Sequence, residues 1–290
     1  MDTYLKNIVN AFAEYGDIRI MEENFFHSIK SRLSAELKFK NDSEVRAGLA
    51  IVYLLNIMRT TGNITPNNVT ECYRDTAFDE IFMKNIYSAM NDYLVDIVGQ
   101  ELTIHGLKKT FRFWSEQEKS DYVAYCATLM GLLAPCAHTT CFGYGAVLGL
   151  ARGEILIPHD DDLDILVLFD RDDAPTISRG LERVSEVATA AEYSVTGAHM
   201  SHRWVSKDGA TADVFVGIKE GDDVSFFPGT RKAIPIADFY PPADVDFLGV
   251  SCRFPKNIER YAAIVYGRDW RSPNNSWRHN WDPSSFADIL

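Results

Sequence analysis

The chain has 290 residues, is 46% hydrophobic and carries a formal net charge of -12. That length holds one large domain or two modest ones, with ample apolar material for a core. The acidic balance leaves no general basic field to neutralise a phosphate backbone, which sets nucleic acid aside as a partner; a small phosphorylated ligand needs only a few placed Arg or Lys side chains.

Met1–Tyr15 is amphipathic and is not a basic stretch followed by an apolar one, so no secretory signal is read there. The longest apolar run, Ala47–Met58, contains Asn56 and is too short to span a bilayer, so no transmembrane segment is expected. Cys72, Cys126, Cys136, Cys141 and Cys252 form no CxxC pair and show no regular spacing. They read as free thiols of a reducing compartment, and the expected location is cytoplasmic.

Residues 1 to about 118 read as a mostly helical region. Leu5, Ile8, Val9 and Phe12 follow the i, i+3, i+4, i+7 spacing of a buried helix face. Ser28 to Phe39 forms a second predicted helix with Ile29 and Leu33 inward, and Ser43 is a predicted N-cap for a third through Ala47–Met58. Thr60–Thr70, rich in Gly, Pro and Asn, is predicted as loop. Phe82, Ile86, Met90, Leu94 and Ile97 then mark an amphipathic helix ending near Gly99. This region offers no catalytic motif; its aromatic and Met stripes read as core.

A predicted helix over Lys119–Leu133 precedes a β-prone piece, His138–Phe142. A glycine-punctuated turn and short helix, Gly143–Arg152, leads to an acidic run and then to the most apolar strand, Leu163–Phe169. Apolar residues on both faces of that strand imply cover on two sides. Pro175–Tyr193 is predicted helical, and Thr196–Ser206 and Ala210–Ile218 are predicted strands joined at Lys207-Asp208-Gly209. A Pro-rich loop over Phe227–Pro242, a strand over Phe247–Phe254 and a helix over Asn257–Tyr266 complete the pattern.

The chemistry concentrates in GAVLGLARGEILIPHDDDLD, Gly145–Asp164. Asp160, Asp161, Asp162 and Asp164 crowd beside a core strand, which is unfavourable without a cation among them. On a strand, Asp162 and Asp164 would point the same way with Leu163 toward the core, and Asp213, alone among apolar residues in Ala212–Val216, could bring a third carboxylate. Oxygen-only ligands favour Mg²⁺ or Mn²⁺ over zinc. A calcium loop of the EF-hand type fails, because Ile165 stands where Gly is needed and Arg171 where Glu is needed. The alternatives that stay open are a solvated acidic turn and helix capping by Asp160 or Asp161. Gly143, Gly145 and Gly149 permit close approach of backbone to a phosphate, or simply a tight turn; Arg152 is a candidate phosphate partner or a surface charge. Trp270 and Trp277 could stack on a base or sugar, or pack structurally.

The acidic stretch resembles the signature of the LicD/fukutin-type family, approximately G-T-L-L-G-A-V-R-H-G-G-F-I-P-W-D-D-D-I-D. ADVFVG and FLGVSCRFPKNIERYAAIVYGRDWRSP are similar to its later motifs, so the resemblance covers roughly residues 119–273. It implies an α+β fold: a nucleotidyltransferase-like mixed sheet with flanking helices, here preceded by the helical N-terminal region, with residues 119–290 as the catalytic domain. It implies transfer of a phospho-alcohol, such as phosphocholine or ribitol phosphate, from a CDP-activated donor to a glycan acceptor. By that resemblance Asp162 and Asp164 hold the metal, Asp160 sits in or beside its shell, Asp213 is the third acid, and Arg152 falls on the family's Arg. Ala146 replaces the family's Thr and His159 its Trp, so the donor's identity is open. Nucleotidyl transfer from an NTP, or binding of nucleotide or glycan without turnover, would use the same region.

Overall fold

The computed structural model describes all residues except 1, 15, 17, 40–42, 73–79, 104, 154–155 and 274–278. The chain divides into two units, Met1–Phe113 and Trp114–Leu290. The fold is α+β, with a mixed sheet flanked by helices and a helical N-terminal region.

The first unit contains helices α1 (Asp2–Ala13), α2 (Glu23–Phe39), α3 (Ser43–Thr61), α4 (Pro66–Glu71) and α5 (Glu80–Val98), and a small hairpin of β1 (Glu101–Thr103) and β2 (Gly106–Lys108). Leu5, Ile8, Val9, Phe12, Ile29 and Leu33 are buried in one core, as their helical spacing requires. On α5, Ile86, Met90 and Leu94 are buried but Ile97 is 43% exposed, so the apolar stripe ends a turn early; the side chain of Phe82 lies outside the described residues. The loop predicted at Thr60–Thr70 is in part a helix. Thr65 caps α4 by accepting from Asn68 N–H, Asn68 returns a bond to the Thr65 N–H, and Pro66 fills the first helical position. Pro and Asn read as breakers were here a helix start.

The second unit is built on a sheet of order β3-β4-β7-β6-β5: β3 (Thr139–Phe142), β4 (Asp164–Asp170), β5 (Ser194–Thr196), β6 (His202–Lys207) and β7 (Ala210–Glu220). β4 and β7 run parallel; the other pairs are antiparallel. Beyond β6, the same edge of β7 pairs with β8 (Asp223–Phe226), which pairs in turn with β9 (Ile234–Pro235). The turn between β6 and β7 is only Asp208-Gly209, at φ +54° and +87°, and this two-residue reversal fixes the register of the hairpin.

Helices α6 (Glu116–Leu133) and α8 (Ile177–Ala190) cover one face of the sheet, where Gly180 lies against Val216 and Phe169. Helices α7 (Tyr144–Ala151) and α10 (Ile258–Tyr266) cover the other, with Gly143 against Leu166. This double cover explains why Ile165–Phe169 is apolar throughout. A short helix α9 (Ile236–Phe239) interrupts the expected loop, and a separate hairpin, β10 (Ala243–Phe247) and β11 (Val250–Phe254), takes the place of one strand over Phe247–Phe254. Leu248-Gly249 makes its turn with both φ positive, a geometry that a Leu does not announce. Likewise Thr196–Ser206 is not continuous: β5 ends at Thr196 and β6 begins at His202. Among the described residues no helix is long and apolar enough to cross a membrane, and all five cysteines are free thiols.

Candidate metal centre

Asp164 is the first residue of β4, and its register partner across the parallel pair is Asp213 of β7. Paired residues leave a sheet on the same face, so the two carboxylates are presented together on the side covered by α7. Like charges directly opposite destabilise a sheet. Asp162 lies before the strand and not within it, so it does not share the pleat with Asp164 as the two-residue spacing predicted. It nevertheless acts electrostatically on both Asp160 and Asp164.

Asp160, Asp161 and Asp162 each place a carboxylate oxygen so that the three lie within 4.8 Å of one another. Burial, then Asp162, hold the Asp160 carboxyl well above the ordinary carboxylate range. Burial, then Asp162, Asp213 and Asp160, do the same to Asp164. These are half-buried carboxylates set against one another. A divalent cation would relieve that, and an all-oxygen donor set fits Mg²⁺ or Mn²⁺. Asp161, read from the sequence as a possible cap, belongs to this group geometrically.

The glycine turn abuts the acids. Gly145 N–H donates to the Asp164 carboxylate, which reduces but does not cancel its upward shift. A Cβ at Gly145 would lie 2.6 Å from Asp160 Oδ2, so the absent side chain makes room for that carboxylate. Gly145→Ala is therefore expected to displace Asp160 and weaken Mn²⁺ binding about 10-fold or more with the fold retained, checked by titration calorimetry. Gly143 serves packing: a Cβ there would lie 2.4 Å from Leu166 Cγ. Tyr144 between them takes φ +36°, costly for a bulky residue. It is held by its N–H donating to Tyr261 OH at 3.3 Å, its hydroxyl donating to Pro228 O at 3.2 Å, and its ring against Phe215.

Arg152 ends α7 and donates to Trp270 O from Nε at 2.8 Å and Nη2 at 2.5 Å, and to Ser272 O at 3.2 Å. These bonds engage Nε and Nη2, so a phosphate contact would fall to Nη1. Trp270 is buried with Leu148, Ile157 and Ala262, a packed residue and not a stacking surface; Trp277 lies outside the described residues.

Sequence reading missed three neighbours. Tyr122 on α6 donates its hydroxyl to Thr211 O at 2.6 Å and accepts Leu163 N–H at 3.1 Å, joining the approaches to β4 and β7. Trp204 on β6 pairs with Asp213 and donates its indole N–H to Asp213 Oδ2 at 3.2 Å. His202 Nε2 stands 3.7 Å from the same oxygen, while burial lowers that imidazole to about 4 and Ser201 Oγ meets its Nδ1 at 2.8 Å. The register was available from the turn: once Asp208-Gly209 is read as a two-residue reversal, Trp204 must oppose Asp213.

A mixed sheet whose central parallel strands present facing aspartates, under a helix entered through glycines, defines a nucleotidyltransferase-like domain. Residues 138–257 match the family described as LicD/FKTN/FKRP, nucleotidyltransferase domain, a match that supports LicD-family membership for that domain. Members are generally transferases, and the family points to phosphotransferase-type modification of glycans. The match is narrower than the resemblance at roughly 119–273, leaving α6 and Trp270 outside it. No curated protein matches the chain.

Proposed function

We propose that residues 119–290, within the second unit, transfer a phospho-alcohol from a CDP-activated donor to a glycan hydroxyl in a reaction that depends on a divalent metal. The observation that carries this reading is the register pairing of Asp164 with Asp213 beside the Asp160–Asp162 group. Asp160, Asp162, Asp164 and Asp213 would hold Mg²⁺ or Mn²⁺, with Asp161 in reach. The bound cation would neutralise charge on the donor diphosphate and the departing nucleotide.

The chain's own groups do the rest. Asp213 accepts the proton of the acceptor hydroxyl, whose oxygen bonds to the phosphorus carrying the alcohol. The bond from that phosphorus to the bridging oxygen breaks, and CMP leaves with the electron pair. Trp204 N–H fixes the Asp213 carboxylate for this role. Gly143 and Gly145 keep the α7 backbone close to the acids, and Arg152 supports the site by pinning Trp270 and Ser272.

A panel of CDP-alcohols assayed for CMP release with Mg²⁺ or Mn²⁺ tests the reading. Release from at least one donor, dependent on metal, is expected. Pyrophosphate released from CTP with no CMP from any donor would replace it with nucleotidyl transfer, and no turnover at all would leave a binding domain. Millimolar Mg²⁺ is also expected to raise the melting temperature, since a ligand at about 100 times its Kd adds about 2.7 kcal/mol; no shift with either ion would count against the centre.

A further inference from the structure

Trp204 and Met200 are 39% and 54% exposed, large apolar side chains left in water, and Met200 directly follows His199, whose ring meets that of Trp204. Such residues are ordinary singly, but these two stand four residues apart around the start of β6. Trp204 is also held in place: its N–H is bonded to Asp213 and its ring meets the edge of His199 at 5.2 Å. His199 in turn stacks on His202 at 4.5 Å and 13°. Gly197 packs its backbone against the indole, where a Cβ would approach Cε3 at 3.3 Å, and so helps hold the ring. Arg203 turns its Nη1 onto the carbonyls of His199 and His202. The charge beside Trp204 is the Asp213 carboxylate, which suits a neutral ring and not a phosphate.

We infer that Trp204, with Met200 and His199, forms the binding platform for a sugar ring of the acceptor. This rests on the reading of Asp213 as the group that meets the acceptor hydroxyl. An indole face takes the C–H surface of a pyranose while the sugar's hydroxyls stay hydrated. Because the same indole is bonded to Asp213, a ring seated on it has a hydroxyl beside that carboxylate. A nucleobase would present an aromatic face equally well, and the test separates the two.

The full-length protein, labelled with ¹⁵N at tryptophan and ¹³C at methionine methyls, is titrated with methyl pyranosides of glucose, galactose, N-acetylglucosamine and N-acetylgalactosamine, and separately with CMP. The Trp204 indole signal is assigned by its loss in Trp204→Phe. Expected is a saturable shift of the Trp204 and Met200 signals with at least one pyranoside and none with CMP. Trp204→Ala is expected to abolish the Met200 shift; if that variant does not fold, Trp204→Phe is expected to weaken it several-fold. Shifts with CMP alone, or with no ligand of the panel, overturn the inference. The Mg²⁺ melting shift measured on the same samples reports on the metal centre separately, so either reading can fail without the other.

Discussion

Asp164→Asn is expected to lower metal-dependent transfer at least about 100-fold while raising the melting temperature of the metal-free protein. The side chain that Asn replaces is desolvated and faces Asp162, Asp213 and Asp160. Asn keeps an oxygen to accept Gly145 N–H and removes the charge. Relief of one opposed like-charge pair is worth on the order of 1 kcal/mol, about 2–4 °C for a domain of this size. The sign with pH follows. A carboxyl with a raised native pKa keeps a proton that the unfolded chain has already released above about 3.8. The contribution of Asp164 to stability without metal therefore falls as pH rises from about 4 toward neutrality. The advantage of Asp164→Asn widens across that window. His202 and His279, both lowered to about 4, act in the opposite sense below 6.5 but are present in both proteins and cancel in the difference. Added Mg²⁺ reverses the order, since only the wild type gains from it. Paired melting curves at pH 4.5 and 7, with and without Mg²⁺, measure all of this.

The second large effect is expected at Tyr122, a positioning residue that touches neither metal nor substrate. Its hydroxyl bridges Leu163 N–H and Thr211 O, one residue before Asp164 and two before Asp213. Tyr122→Phe leaves the buried Leu163 N–H without that partner, costing about 1–3 kcal/mol. It also frees the two strand entries to slide apart, so Mn²⁺ affinity and turnover should each fall about 10- to 100-fold. A purely structural role would lower the melting temperature and leave the Mn²⁺ dissociation constant of the folded protein unchanged. Titration calorimetry well below the melting temperature distinguishes the two.

Much of this arrangement was readable from residue order because it obeys local rules. The helical spacing of Leu5, Ile8, Val9 and Phe12 buries as expected, and the apolar run Ile165–Phe169 is the central strand its composition implies. Asp213 stood out as a charge among apolar residues, and the register sets it opposite Asp164. What escaped depended on turn chemistry or long-range geometry. Pro66 was read as a breaker when Thr65 and Asn68 make it a helix start. Leu248 hid a tight reversal because a Leu rarely takes positive φ. Asp162 fell outside the strand because the Leu163 N–H that follows it bonds to Tyr122, 41 residues earlier, and not to a neighbouring strand. The carbonyls that occupy Arg152 lie 118 and 120 residues on, beyond any spacing rule.

Anomalous diffraction at the manganese edge, from crystals of the full-length protein grown with Mn²⁺, examines the centre most directly. The expected result is a peak contacted by Asp164 and Asp213 together and by at least one of Asp160 and Asp162. A peak confined to the exposed side of Asp160 and Asp161, with Asp213 making no contact, or no peak at saturating Mn²⁺, would contradict a shared ion between the two strands.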